Sequence, residues 1–497
     1  MMNQLKQEIV NNLKNQDAFT ENNARVYAST GKKLLDMNFK VSQYRRASEE
    51  EIIKDFTQAW SEDSTLALKF AFFVRDIREG LGERRLFRIL LKQILVLDRR
   101  AQKLLKYVAE YGRWDDLIEV FGDTNSFADD QIEIVNLVSK QLAEDTEKMN
   151  KKMPISLCAK WLPSVNTSSK GSRTLAKRLA SNLKMTERQY RKNLSALRAY
   201  ANVVEVYTSA NKWADINYEH VPSLANLKYK NAFLKHDEIR RRDYFAKLEK
   251  GEAKINAAVA FPHDIVSKYN SGSLDPALEA MWKALPKFNL SNTLVVADGS
   301  GSMTSTINGT NVTALDVANG LAIYCSECNS GEFRDKYITF SMNPKFVDFS
   351  SVNTLLAKLQ IAKKHSEVAN TDIQKVFKLV LKTAINNKMK QSEMVKNILV
   401  ISDMQFDHAV EGNDKRLFEN IANEYIQAGY KLPKLIFWNV CDRITNTIPV
   451  IENENGVILV SGYSVQIMKM VLSDKLDPFE ALKEILMSER YKVISLK

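Results

Sequence analysis

The sequence predicts a two-part chain: an N-terminal α-solenoid of packed helix pairs over residues 1–285, then a C-terminal doubly wound, Rossmann-like α/β domain over residues 286–497. Three observations carry this expectation. At 497 residues the chain exceeds what one ordinary hydrophobic core serves. Apolar residues recur at three- and four-residue spacing through the first part, as a helix face requires. Near Pro286 the pattern changes to short apolar runs alternating with helical stretches, which is the signature of a parallel sheet covered on both faces.

In the first part, Leu66, Phe70, Val74 and Ile77 share one helix face. After the turn Glu79-Gly80-Leu81-Gly82, Leu86, Ile89, Leu90, Ile94 and Leu97 share another. Further helical stretches read as 100–111, 129–148, 186–208 and 236–249. Runs of β-branched alternation are nearly absent, and no exact internal repeat is visible, so any repeats are degenerate. In the second part the candidate strands are Leu294–Asp298, Lys336–Phe340, Asn397–Ser402, Leu435–Val440 and Val457–Val460. The helices between and after them fall at 313–328, 352–361, 372–386, 414–428 and 477–488.

Composition narrows the class. Apolar residues make up 45%, charged residues 26%, and only 17 Gly and 10 Pro occur, which argues against disorder and for long helices. The polar start MMNQLKQEIVNNLKNQDAF lacks the apolar segment of a secretory signal. No uninterrupted apolar run of about 18 residues is present, so no membrane span is expected. Cys158, Cys325, Cys328 and Cys441 are too few for a disulfide scaffold, and reduced thiols in the cytoplasm fit better. The net charge is +11, and residues 151–250 hold 21 basic and 8 acidic residues, whereas 286–497 hold 24 and 23. A basic middle beside a near-neutral C-terminal part points to a polyanion partner for the middle.

The first predicted strand runs into Asp298-Gly299-Ser300-Gly301-Ser302. Glycines let such a loop turn sharply and bring both hydroxyls to one side. One carboxylate and two hydroxyls form a hard oxygen half-site suited to Mg²⁺, or another divalent ion such as Mn²⁺. With no thiolate or imidazole in the loop, zinc is disfavoured. A second apolar strand, Asn397–Ser402, runs into Asp403, and Thr371 opens a helix where it can cap and ligate together.

Asp298-x-Ser300-x-Ser302, then Thr371, then Asp403 resembles the metal-ion-dependent adhesion site of von Willebrand factor A domains. The resemblance implies that Ser300 and Ser302 bind the ion directly, and that Asp298, Thr371 and Asp403 do so directly or through water. Asn370 stands where that family often has Gly. In the first part, Arg75-Asp76-Ile77-Arg78-Glu79-Gly80-Leu81-Gly82-Glu83-Arg84 resembles a helix-turn-helix corner of the TROVE and DUF2828 relatives. Lys160-Trp161-Leu162-Pro163, Tyr190-Arg191-Lys192, Trp213, Val221-Pro222-Ser223 and Ile401–Asp407 resemble the DUF2828 branch in particular. That resemblance spans roughly 50–490 and implies HEAT-like helical repeats, ring-shaped in the Ro-like group, fused to an A domain. In that group the ring takes single-stranded RNA ends and its outer face binds small structured RNAs.

An RNA role therefore joins the charge asymmetry. The candidate phosphate contacts are Lys170, Arg173, Lys177, Arg178, Arg188, Arg191, Lys192, Arg198, Arg240, Arg241 and Arg242. Tyr190, Tyr200, Tyr229 and Tyr244 lie among them as candidate stacking rings, although packing between helices is the commoner use of such residues. The expected function is a Ro-like RNA-binding protein whose A domain binds a cation, either for a protein partner or to brace the structure; no DNA specificity is expected. A metal-dependent protein scaffold without nucleic acid is the alternative. Catalysis is not expected: GxSxG and HExxH are absent, and two-metal chemistry needs more clustered acids. Cys325 and Cys328 sit in an apolar helix and read as buried thiols.

Overall fold

In the computed structural model the described residues are 17–19, 25–257, 260–270, 272, 276–290, 292–340, 344–365, 373–404, 417–445, 447–449, 456–472 and 477–497. They fall into two compact units. One comprises the described residues up to Ala67 together with Ala260–Arg490 and holds a six-stranded sheet. The other, Leu68–Val259 with Tyr491–Lys497, is helical.

A small antiparallel pair, β1 (Asp17–Phe19) and β2 (Arg25–Tyr27), precedes the main sheet. The sheet contains β3 (Thr293–Asp298), β4 (Lys336–Phe340), β5 (Phe346–Asp348), β6 (Asn397–Ser402), β7 (Lys434–Asn439) and β8 (Val457–Ser461) in the order β5-β4-β3-β6-β7-β8. All neighbours are parallel except β4 and β5. The five expected strands are present within a residue or two of their predicted limits. The antiparallel edge strand β5 is an addition: with three residues and exposed outer positions it carries almost no apolar pattern. The chain winds from β3 to β4 on one side and then to β6, β7 and β8 on the other. The exits of β3 and β6 therefore flank the point where the winding reverses, the usual ligand position of an open α/β sheet.

The unit boundary differs from the expected one at 285/286. Residues 25–67 and 260–290 belong with the sheet. Leu34, Leu35 and Phe39 are fully buried or nearly so, and Phe39 joins the core formed by Leu294, Val400, Phe437 and Leu459. Asn38 Nδ2 donates to the Leu459 carbonyl at 3.3 Å, and the Ser42 and Ser461 hydroxyls meet at 2.7 Å. Helix Pro262–Asn270 packs on helix Ala314–Cys328 at Gly320, where an added Cβ would lie 3.3 Å from Val266 Cγ2. No periodicity within residues 25–67 distinguishes a helix that covers a sheet from one that packs on helices.

The helical unit contains Arg84–Leu97, Leu105–Tyr111, Trp114–Gly122, Ala128–Asn150, Lys170–Asn182, Glu187–Tyr200, Ser223–His236 and Glu238–Glu249, among shorter turns. Its caps follow the sequence: Ser169 and Thr186 each accept a bond from a first-turn amide. The last seven residues return here. Tyr491 is 1% exposed, stacks on Tyr111 at 5.7 Å and meets Phe73 edge-on.

At the centre of this unit Asp116 is fully buried. It accepts from Arg75 Nε and Arg88 Nε, each at 2.7 Å, and from the Arg113 amide at 3.0 Å. Gly112 makes room for this cluster, since a Cβ there would stand 2.5 Å from Asp116 Oδ2. Removing one partner of a buried ion pair strands the other. Asp116→Ala is thus expected to cost about 3–5 kcal/mol, read as a lowered urea midpoint; an unchanged midpoint would contradict this account of the cluster.

Candidate cation site and basic helical face

Six consecutive buried residues form β3, and the last is Asp298. Its carboxylate is 1% exposed. One oxygen accepts from the Ser300 amide at 2.9 Å, closing a tight turn, and the other accepts from the Ser402 hydroxyl at 2.6 Å. Ser402 is the last residue of β6, and its oxygen also accepts from the Met404 amide at 3.0 Å. Adjacent to it, Asp403 is 4% exposed. Ser300 is buried, Ser302 half-buried, and their hydroxyl oxygens stand 3.0 Å apart.

Burial drives the Asp298 carboxyl well above the usual carboxylate range, and the Asp403 charge pushes it further. The bonds from Ser402 and Ser300 pull the other way. No Lys or Arg bonds to Asp298 among the described residues. The fit to a divalent cation follows from these facts. Neighbouring ligands of an octahedral ion with bonds near 2.1 Å lie about 3 Å apart, and the two serine oxygens have that separation. A doubly charged ion would supply the positive charge that no bonded Lys or Arg among the described residues brings to Asp298. No three His, Cys, Asp or Glu side chains form a metal-holding group among the described residues, so any site here draws on hydroxyls.

Of the expected ligands, Asp298, Ser300, Ser302 and Asp403 lie at the exits of two adjacent strands. Thr371 lies outside the described residues. Ser402 was missed by sequence reasoning. The available signal was its position before Asp403 at the end of an apolar run, but a serine there reads equally well as a turn former.

The eleven basic candidates divide sharply. Lys170, Arg173, Arg188, Arg191 and Lys192 are exposed, on helices Lys170–Asn182 and Glu187–Tyr200, and bond to no acidic partner among the described residues. Lys177 is exposed but pairs with Glu187 at 3.0 Å, and Arg242 pairs with Glu238 at 2.8 Å. Arg240 donates to Asp237 and to the Trp213 and Ile216 carbonyls.

Three more are engaged inside the fold. Arg241 is fully buried, its guanidinium lying over the rings of Phe245 at 4.6 Å and Tyr218 at 4.8 Å. Arg198 spends its donors on the Ala159 and Leu162 carbonyls and the Ser164 hydroxyl, each at 2.7 Å. Arg178 bonds the Phe121 carbonyl and stacks on its ring. Of the tyrosines, Tyr190 and Tyr244 are buried, with hydroxyls bonded to the Pro163 and Lys254 carbonyls. Tyr200 and Tyr229 are half-buried and bond Met153 and Glu205. All four cysteines are buried free thiols, and no described helix is long and apolar enough to cross a membrane.

Comparison with known proteins adds the family. A model described as "Domain of unknown function (DUF2828)" matches residues 20–92 and 97–299, and one described as "Domain of unknown function (DUF7788)" matches 292–492. The chain is also 30% identical over 509 residues to "Uncharacterized protein L728" of Acanthamoeba polyphaga mimivirus, an alignment covering 94% of this chain and 87% of that one. More than half of the chain follows the first of these models, and the chain belongs to the DUF2828 family.

Proposed function

We propose that this is an RNA-binding protein of the Ro-like type, with a helical-repeat unit that holds RNA and a von Willebrand A-type unit that binds Mg²⁺ or a similar divalent ion. The observation that carries the cation reading is the pairing of Ser300 and Ser302 hydroxyls at 3.0 Å beside the buried Asp298 carboxylate. The reversal of winding between β3 and β6 supports the A-type comparison. In this reading Ser300 and Ser302 hold the ion directly. Asp298 and Asp403 hold it directly or through water, and Thr371 is the remaining candidate. The bound ion would supply a Lewis-acidic position for an acidic side chain of a protein partner, or brace the strand exits. The chain's own residues orient it: Ser402 fixes the Asp298 carboxylate, and the Ser300 amide fixes the turn.

The RNA reading rests on the five exposed cations of helices Lys170–Asn182 and Glu187–Tyr200, which bond to no acidic partner among the described residues. Cations already committed to carbonyls or carboxylates have little left for phosphate; these five do not have that handicap. Such contacts give affinity that falls with salt and carries little sequence information.

Two measurements test these assignments. Mn²⁺ or Mg²⁺ at a hundredfold excess over its Kd should stabilise the protein by about 2.7 kcal/mol, seen as a raised melting temperature that EDTA reverses. Asp298→Asn should abolish that rise, and a wild-type melt insensitive to both ions would refute the cation site. In filter binding, the triple variant Arg173→Glu, Arg188→Glu, Arg191→Glu should lose retention of single-stranded RNA and flatten the salt dependence by about one unit of slope per phosphate contact removed. Retention equal to wild type would leave the metal-dependent protein scaffold as the better reading.

A further inference from the structure

The candidate cation loop is not held by the sheet alone. Ser302 lies in a short turn, Gly301–Thr304, and the chain then runs through a narrow loop in which the Ile307 amide bonds the Val312 carbonyl and the Ala314 amide, opening helix Ala314–Cys328, bonds the Ser305 carbonyl. The far side of this loop is tied to the N-terminal segment of the same unit. Arg46 Nε meets Asp442 Oδ1 at 2.9 Å, and its Nη2 donates to the Thr306 carbonyl at 2.5 Å. The second Asp442 oxygen accepts from the Asn308 amide at 2.6 Å, and Asn308 Nδ2 donates to the Arg45 carbonyl at 2.7 Å.

Asp442 is itself fixed relative to the strand exits. It follows β7 by three residues and is 1% exposed. The Val440 amide bonds the Ser402 carbonyl at 3.2 Å, and the Cys441 amide bonds Asn439 Oδ1 at 3.0 Å. Arg45 lies over Tyr463 at 4.3 Å, and Gln43 exchanges bonds with Thr445. One guanidinium therefore joins three chain segments: residues 42–46, the exit of β7 and the loop that carries both serine ligands.

We propose that Arg46 is a positioning residue of the cation site: through Asp442 and the Thr306 carbonyl it holds the Ser300–Ser302 loop against the exits of β6 and β7. The assignment rests on the cation reading above. Groups that orient ligands without touching the ion commonly set its affinity. The Coulomb effect of the substitution has the opposite sign. Losing Arg46 leaves the buried Asp442 carboxylate uncompensated near the site, and that charge by itself attracts a cation more strongly. The direction of the change therefore separates positioning from simple charge.

The test uses the full chain, Mn²⁺ titration calorimetry, and amide hydrogen exchange of the metal-free protein. Arg46→Ala should weaken Mn²⁺ binding by about 10- to 100-fold and speed exchange at Ile307 and Asn308. Arg46→Lys keeps the charge but not the forked donor geometry, so its affinity should fall between the two; it also serves if the alanine variant fails to fold. Unchanged or tighter Mn²⁺ binding in both variants, with wild type binding normally, overturns the role of Arg46 and leaves the cation site standing. If wild type shows no Mn²⁺ heat while exchange still quickens in Arg46→Ala, the cation reading itself has failed, and this assignment with it.

Discussion

An ionised carboxylate taken out of water costs several kcal/mol unless opposite charge meets it. Asp298 is placed in that position by the sheet, because an apolar strand buried on both faces has nowhere else to end than inside the protein. Two neutral donors, the Ser300 amide and the Ser402 hydroxyl, meet its oxygens, while burial favours its neutral form. Parallel pairing of β3 with β6 brings Ser402 and Asp403 to the same level, the loop turns back through Ser300, and residues 42–46 tie down the loop's far side.

The helical unit handles charge in the reverse sense. It is rich in cations, and its interior uses several of them as struts. Asp116 gathers Arg75 and Arg88, Arg113 stacks on Trp161 at 4.0 Å, and Arg241 lies among four aromatic rings. Burial draws the Arg113 guanidinium down to about 10, against the pull of Asp115. A guanidinium suits this work because its faces are weakly hydrated and its edge donors are many. Other cations stay outside the interior, among them the exposed Lys170, Arg173, Arg188, Arg191 and Lys192 of helices Lys170–Asn182 and Glu187–Tyr200.

The strands were legible because complete burial leaves an uninterrupted apolar run, and their exits were legible because an acid interrupts it. That is why Asp298 and Asp403 could be paired across about a hundred residues of sequence. β5 was not legible, since Phe346–Asp348 is too short to show a period. Membership of residues 25–67 in the sheet unit was hidden for a different reason: Leu34, Leu35 and Phe39 show which face of a helix is buried, but not against what. The same gap explains Arg241, Arg198 and Arg178. A basic residue on a helix looks the same in sequence whether it faces solvent or reaches a neighbouring carbonyl, and only the packing of other helices decides.

The sheet unit begins its construction long before it can finish. Asn38 waits for the Leu459 carbonyl, 421 positions later in the chain, and Ser42 for Ser461, 419 later. The entropy of closing so long a loop grows only logarithmically and adds little to the equilibrium cost. Its kinetic weight is larger, because contacts this distant slow the search for the native state. During synthesis Phe39 and its neighbours emerge long before Leu459 and Ser461 and stay without that part of their native cover until β8 has been made. The helical stretches that follow can meanwhile form among themselves, so this early segment is sheltered later than many residues made after it.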